Sequence, residues 1–152
     1  MTIQQIRTNK KDYLDLLLLG DEQEDMIDRY LEWGEMFALF DPDVMGVCVV
    51  VQLDDGVFEI KNLAVEPSAQ GKGYGRKLIE FVMEYYHGRM TELLVGTGDS
   101  PLTVPFYQKC GFTEHHRVKN FFTDNYDHPI YEAGVQLVDM IYLSRIPEQE
   151  CD

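Results

Sequence analysis

The chain has 152 residues, of which 45% are hydrophobic, and its formal net charge at pH 7 is −14. This size suits one domain with its own hydrophobic core, so a single domain spanning 1–152 is predicted. The negative charge argues against nonspecific binding to nucleic acid and favours cationic partners, although acidity can also serve solubility alone.

Other bulk features predict a cytoplasmic protein that does not contact a membrane. Residues 1–7 lack the charged and then apolar run of a signal peptide. The longest apolar stretches, 16–19 and 47–51, fall far short of the roughly 20 residues that cross a bilayer. The cysteines are widely spaced and form no CxxC pair, which predicts reduced thiols rather than a metal site or a redox motif: Cys48, Cys110 and Cys151.

The first part of the chain predicts one strand, two helices and three antiparallel strands. Weak alternation indicates a strand at 2–7, and apolar residues at helical spacing predict helices at 12–19 and 22–33, the second capped by Asp21. Valine-rich segments around an Asp-Gly turn then predict a meander of three strands, at 35–40, 44–53 and 57–65.

The second part of the chain continues with alternating helices and strands. Apolar residues at helical spacing predict a helix that starts at Gly75 and stops at His87-Gly88. The remaining patterns predict a strand, a short helix and two strands, at 91–97, 102–109, 112–118 and 135–143. This order indicates a mixed α/β fold with a largely antiparallel central sheet flanked by helices.

The sharpest local pattern is a glycine-rich turn between the strand at 57–65 and the following helix. Gly71, Gly73 and Gly75 let the backbone approach a ligand closely, and the helix N-terminus directs N–H groups outward, as a pyrophosphate requires. A P-loop is excluded because no Gly-Lys-Ser/Thr is present, and the dinucleotide fingerprint because position 76 is arginine. A purely structural loop remains open at this point.

Two segments together resemble a known family. The sequence LAVEPSAQGKGYG at 63–75 is similar to the acetyl-CoA loop of the Gcn5-related N-acetyltransferase (GNAT) superfamily. The sequence PFYQKCGF at 105–112 resembles the later motif of that family, in which a tyrosine on a short helix precedes a Gly-Phe turn into a strand. The resemblance implies the GNAT fold and transfer of an acetyl group from acetyl-CoA to an amine.

The resemblance also implies which residues contact acetyl-CoA. Backbone N–H groups of 71–76 would hold the pyrophosphate, and the backbone of 63–65 would pair with the pantetheine arm. Lys72 and Arg76 would add positive charge, unless they are ordinary solvated cations. Ser100 stands where many members have an asparagine that contacts the arm. The expected cofactor-binding residues are Leu63, Ala64, Val65, Gln70, Gly71, Lys72, Gly73, Tyr74, Gly75, Arg76 and Ser100.

Glu59 is the expected general base. Acetylation needs a deprotonated amine, and Glu59 lies eleven positions before Gln70, where the histone-acetyltransferase branch of the family has its glutamate. The alternative is a solvent-facing strand residue, which strict alternation places on one face with Lys61, Leu63 and Val65.

Tyr107 is the expected general acid for the departing thiolate. The resemblance implies this role, because the family has a tyrosine at this place that can protonate the thiolate. The alternative is a buried core tyrosine. A backbone N–H near Leu63 or Ala64 would stabilise the oxyanion.

The acceptor is expected to be a cationic amine held by 12–33 and 119–134, the segments that bind it in the family. Their acids and aromatics could receive a polyamine, an aminoglycoside or a basic peptide, or could form a solvated helix face: Asp21, Glu22, Glu24, Asp25, Asp28, Asp124, Tyr126 and Asp127.

The sequence also bears on metal binding, oligomeric state and an alternative function. No metal is expected, because His115 and His116 would point to opposite faces of a strand and His87 and His128 lack ligand spacing. The chain could form a homodimer. The alternative from another functional class is a non-catalytic acyl-CoA sensor, which would need the glycine-rich turn but neither Glu59 nor Tyr107.

Overall fold

The computed structural model describes residues 1–148, and the chain divides into two compact units, 1–90 and 91–152. The prediction of a single domain stays a prediction. Within residues 1–148, no helix is long and apolar enough to cross a bilayer.

The first unit contains four strands, three α-helices and two 3-10 helices within residues 1–90. The strands pair antiparallel in chain order, β1-β2-β3-β4. Their bounds are β1 Thr2–Ile6, β2 Glu35–Phe40, β3 Val44–Asp54 and β4 Val57–Val65. The helices are α1 Leu14–Gly20, α2 Glu24–Asp28 and α3 Tyr74–Tyr85, with 3-10 helices at Lys10–Tyr13 and Pro67–Ala69.

Alternation along the strands gives this unit a core on each face of its sheet. On one face, Met36 and Val49 pack with Leu17 and Ile27 of α1 and α2. On the other face, the Phe37 ring contacts aromatic rings of α3 edge to face, including Phe81 at 5.4 Å between ring centroids. The first unit therefore consists of a four-stranded sheet between two helical layers.

The meander β2-β3-β4 and the turn before β4 agree with the sequence prediction, and Gly56 adopts a φ of 74° there. The predicted second helix is too long, because α2 ends at Asp28 and residues 29–33 form turns. Asp21 does not cap that helix, since the residue before its first turn is Gln23.

Lys10 stabilises the turns that follow α2. Its Nζ is buried and donates hydrogen bonds to the carbonyls of Leu31 at 2.8 Å, Gly34 at 2.8 Å and Glu32 at 3.4 Å. These carbonyls lie after the end of α2, and a lysine 21 or more positions away supplies their hydrogen-bond donor in place of helical N–H groups. Local periodicity cannot reveal such a contact.

The second unit contains five strands and two helices within residues 91–148. Three strands pair antiparallel in the order β5-β9-β6, and β7 and β8 form a hairpin. The bounds are β5 Glu92–Gly98, α4 Val104–Lys109, β6 Thr113–Val118, α5 Phe121–Asn125, β7 Tyr131–Glu132, β8 Val135–Gln136 and β9 Met140–Arg145.

The predicted last strand at 135–143 is wrong in its first half, because β9 begins at Met140. Residues before it form a hairpin whose turn, Ala133-Gly134, has φ of 51° and 75°. Phe122 packs with Ile130 and Leu137 in a small separate core that holds α5 and the hairpin together. The sequence prediction missed both elements, because each is too short to show periodicity.

Replacing Lys10 with methionine is expected to lower the free energy of unfolding by about 2–3 kcal/mol, because buried carbonyls lose their donor. Lys11→Met is the matched control. Lys11 is 41% exposed and pairs with carboxylates on the surface, so its loss should change stability little. Urea unfolding measures both variants, and equal stability of the two would contradict this role of Lys10.

Candidate active site

The glycine-rich turn after β4 ends at Gly73, directly before α3. Gly71 and Gly73 have left-handed backbone angles, with φ of 83° and 84°. L side chains rarely adopt these angles, so both positions favour glycine strongly. A Cβ at either position would meet no atom of the described chain within 4 Å, so the surface beside the turn is open.

The N-terminus of α3 directs N–H groups toward solvent. Its first backbone hydrogen bond runs from the Lys77 N–H to the Gly73 carbonyl at 3.0 Å, so the N–H groups of 74–76 have no acceptor within the helix. Gly73 has no side chain to cap them, and Lys72 and Arg76 are exposed on the same turn. Outward N–H groups, a helix dipole and two cations suit an anion.

The side of this turn that faces the protein is held by a contact that sequence analysis missed. Tyr74 is buried, and its hydroxyl donates to Asp41 Oδ2 at 2.6 Å. The Tyr74 hydrogen bond, and then the cations around Asp41, lower the pKa of that carboxyl. Thirty-three positions separate the partners, so no local pattern points to the pair.

A β-bulge at Lys61 divides β4. Val49 and Val50 of β3 pair with Asn62 and Ile60, so Lys61 is an extra residue between them. An extra residue inverts the alternation of side chains on the strand that carries it.

The bulge determines which face carries Glu59. Glu59 lies opposite Val51, whose side chain belongs to the core beneath α1 and α2. Directly opposed residues share a face, so Glu59 faces that core. The prediction from strict alternation, which grouped Glu59 with Leu63 and Val65, is therefore wrong.

The Glu59 carboxylate is buried beside a lysine. Its side chain is 7% exposed, and Oε2 lies 3.1 Å from Lys61 Nζ. The alternative of a solvent-facing glutamate is thus wrong. The alternative that remains is a partly buried ion pair with a structural role.

A buried polar network lies on the same face. Asn62 Nδ2 donates to the Leu17 carbonyl at 2.9 Å and to the Tyr30 hydroxyl at 3.1 Å, and that hydroxyl donates to Asp21 Oδ2 at 3.1 Å. Burial, and then the Asp21 carboxylate, raise the pKa of Tyr30. Asn62 Oδ1 lies against Gly20, where a Cβ would overlap it. The network fixes the end of α1 against β4.

Two of the acidic residues that were expected to bind a cationic acceptor already form ion pairs with a lysine of this chain. Lys11 Nζ lies 2.8 Å from Glu24 and 2.6 Å from Asp28. Glu22 and Asp25 are exposed. The ion pairs reduce the negative charge that these helices present to a ligand.

The second unit holds Tyr107 and Ser100. Tyr107 in α4 is 8% exposed, and its ring packs edge to face against Phe106 and Phe112, with centroids 5.1 and 5.6 Å apart. Ser100 is buried, and its Oγ accepts the Leu102 N–H at 3.1 Å. Ser100 therefore stabilises the turn that leads into α4.

Segment 119–134, the other expected acceptor segment, borders a cleft of about 230 Å³ in the second unit. The Phe122 and Tyr126 rings, which stack at 5.5 Å, line it together with Asp127 and His128. The His128 Nδ1 lies 2.6 Å from Asp127 Oδ1. Aromatic rings beside a carboxylate can bind an alkylammonium group.

The predicted orientation of His115 and His116 is wrong, because their Nδ1 atoms lie 2.7 Å apart. Pairing of β6 with β9 shifts between Glu114 and His116, which makes His115 a bulge. Across residues 1–148, no group of three or more His, Cys, Asp and Glu side chains could hold a metal ion.

The cysteines with described positions, Cys48 and Cys110, are both buried, and burial raises the pKa of the Cys48 thiol to about 12. Cys151 lies outside the described residues.

Comparison with known proteins assigns the chain to a family. A family model described as an acetyltransferase (GNAT) domain matches residues 32–114. The chain belongs to the GNAT family. An uncharacterized N-acetyltransferase, YvbK of Bacillus subtilis, is 38% identical over 139 residues, which cover 90% of this chain and 89% of that protein.

Two solved GNAT structures are similar over almost the whole chain. One is a GNAT family acetyltransferase from Elizabethkingia anophelis with acetyl-CoA bound, with 36% identity, a TM-score of 0.89, and coverage of 95% of this chain and 97% of that one. The other is an IAA acetyltransferase from Bacillus cereus, with 34% identity, a TM-score of 0.86, and coverage of 95% and 99%. The GNAT fold predicted from the sequence is confirmed.

Proposed function

We propose that this GNAT protein transfers the acetyl group of acetyl-CoA to a primary amine by direct attack within a ternary complex. The turn between β4 and α3 carries the proposal. It combines two left-handed glycines, outward N–H groups and two exposed cations. The similar Elizabethkingia anophelis protein has acetyl-CoA bound.

In this proposal the backbone N–H groups of 71–76 bind the pyrophosphate, since anions bind where helix N–H groups lack acceptors. Lys72 and Arg76 supply further positive charge. Cations are unfavourable at a helix N-terminus that has no bound anion, so a pyrophosphate at this turn would account for both. The backbone of 63–65 pairs with the pantetheine arm. Gln70 supports the turn, because its Nε2 donates to the Val65 carbonyl at 3.4 Å. Ser100 would contact the arm.

The proposed reaction needs a proton acceptor, because an alkylammonium group has a pKa of about 10 and must lose a proton before it attacks. Glu59 takes this role, directly or through water. The amine nitrogen then bonds to the thioester carbon, and a backbone N–H near Leu63 or Ala64 stabilises the oxyanion. Burial of Glu59 beside Lys61 supports a fixed carboxylate at this position.

Tyr107 supplies the proton that the leaving group needs. When the carbon–sulfur bond breaks, the thiolate takes the hydroxyl proton of Tyr107 and free coenzyme A departs, and the proton that the acetylated nitrogen then loses restores the Tyr107 hydroxyl. Close packing against Phe106 and Phe112 fixes the orientation of the Tyr107 ring.

The proposed acceptor is a cationic primary amine, such as a small polyamine, an aminoglycoside-like molecule or a peptide amine. The net charge of −14 and the exposed Asp124 and Asp127 support this class.

We further propose one GNAT domain over 1–152, a cytoplasmic location, a capacity to form a homodimer, and no nucleic-acid or membrane partners. The alternative function is an acyl-CoA sensor that binds the cofactor without transferring its acetyl group. Presence of Glu59 and Tyr107 favours the enzyme, because a sensor needs only the turn.

Replacing Gly73 with valine is expected to abolish acetyl-CoA binding in a folded chain, because valine disfavours a φ of 84° and fills the open surface. Gly88→Val is the matched control. Gly88 has a φ of 85°, and a Cβ there also meets no described atom within 4 Å, but it follows the opposite end of α3. Calorimetry that showed equal affinity in both variants would exclude this pyrophosphate site.

Tyr107→Phe is expected to lower turnover by about 10²-fold or more with little change in acetyl-CoA affinity, because the ring still packs and only the proton donor is lost. Tyr85→Phe, which removes the hydroxyl of a tyrosine in α3 that is 39% exposed, is the control and should retain turnover. Wild-type turnover in Tyr107→Phe would remove the general-acid assignment.

Glu59→Gln is expected to be most impaired at low pH, where the acceptor amine is charged. The loss there should be roughly 10²- to 10⁴-fold and should shrink as pH rises and free amine accumulates. The measurement is a pH–rate profile with saturating acetyl-CoA. A structural Glu59 would instead give a profile parallel to wild type at every pH.

A further inference from the structure

Two tyrosine–carboxylate hydrogen bonds connect α3 to the two ends of β2. At the start of the helix, the Tyr74 hydroxyl donates to Asp41 Oδ2 at 2.6 Å, one residue beyond the end of β2. Just after the helix, the Tyr86 hydroxyl donates to Glu35 Oε1 at 2.7 Å, where β2 begins. The two bonds are chemically alike, but only the first adjoins the glycine-rich turn.

Tyr74 is the first residue of α3, so its backbone N–H is one of those left without a helical acceptor. Its side chain points away from that N–H, toward Asp41, and Tyr74 is only 9% exposed. Asp41 is itself fixed in the β2–β3 turn, where its N–H donates to the Asp43 carbonyl at 2.8 Å. The first turn of the helix is thus connected through one hydroxyl to a short and constrained turn.

The charge of Asp41 alone would act against an anionic ligand. Its carboxyl is close enough to Lys72 and Lys77 for their charges, after the Tyr74 hydrogen bond, to lower its pKa, and the Met1 amino group lies 3.8 Å from Oδ1. A carboxylate near a pyrophosphate site repels the phosphates and competes for these cations. If Asp41 favours acetyl-CoA binding, it must therefore do so through the position in which it holds Tyr74 and not through its charge.

We propose that Asp41, acting through Tyr74, is a positioning residue that orients the first turn of α3 toward the pyrophosphate of acetyl-CoA. This inference rests on the proposed function. Gly71 and Gly73 give the preceding turn wide backbone freedom, so the helix start needs another restraint to keep its N–H groups aligned. A restraint present before binding lowers the ordering cost of the complex.

Loss of the Tyr74–Asp41 hydrogen bond and loss of the Asp41 charge predict opposite effects on acetyl-CoA affinity, and matched variants separate them. Tyr74→Phe keeps the Asp41 charge and removes the hydrogen bond, so Kd and KM for acetyl-CoA should rise by about five- to tenfold, a larger change than any in kcat. Asp41→Ala should do the same. Asp41→Asn keeps an acceptor oxygen without the charge and should bind nearly as wild type. The double variant, with Tyr74→Phe and Asp41→Ala together, should bind acetyl-CoA no more weakly than either single variant.

Tyr86→Phe is the control at the other end of the helix. It should lower the melting temperature and leave Kd for acetyl-CoA unchanged, because Tyr86 lies 12 residues, or roughly 18 Å of helix, from Tyr74. Calorimetry on the purified full chain gives Kd, and steady-state kinetics separate KM from kcat.

The outcomes are distinct. Weaker binding in Tyr74→Phe and Asp41→Ala, but not in Asp41→Asn or Tyr86→Phe, supports the positioning role. Wild-type affinity in Tyr74→Phe, or tighter binding in Asp41→Ala, overturns it while the proposed function stands. If Tyr74→Phe does not fold, the two Asp41 variants decide between these results. Wild-type protein that does not bind acetyl-CoA overturns the proposed function and this inference together.

Discussion

The antiparallel pairing of β3 with β4 is the constraint on which the candidate site depends. It determines where β4 ends and so where the glycine-rich turn begins. The bulge at Lys61 within the same pairing turns Glu59 toward the core of α1 and α2. A flat ladder without that extra residue would place the carboxylate on the opposite face, among the side chains that contact α3.

The glycine-rich turn illustrates how backbone conformation and electrostatics combine. Two left-handed glycines reverse the chain into α3 and leave open space beside it. The N-terminus of α3 then presents N–H donors that no side chain caps within the described turn. Tyr74 links this start to Asp41, and Tyr86 links the other end to Glu35, so α3 is restrained along its length against β2.

The features that the sequence predicted are those with a local chemical signature. The β2-β3-β4 meander follows from valine-rich segments and an Asp-Gly turn, and the turn before α3 follows from closely spaced glycines. The end of α2 at Asp28 was missed because apolar residues keep helical spacing into the turns at 29–33, and the Lys10 contacts that hold those turns come from 21 or more positions away. The bulge at Lys61 was missed because register depends on the partner strand, and the Tyr74–Asp41 pair because its partners are distant in sequence.

The central claim, acetyl transfer to an amine, is tested most directly by incubating the purified chain with acetyl-CoA and a panel of amines. The panel contains a polyamine, an aminoglycoside and a lysine-bearing peptide, and each reaction is followed by thiol release and by the mass of the amine product. The account predicts amine-dependent thiol release with a matching acetylated product for at least one of them. Tight acetyl-CoA binding without amine-dependent release for any of them would contradict it and favour the sensor.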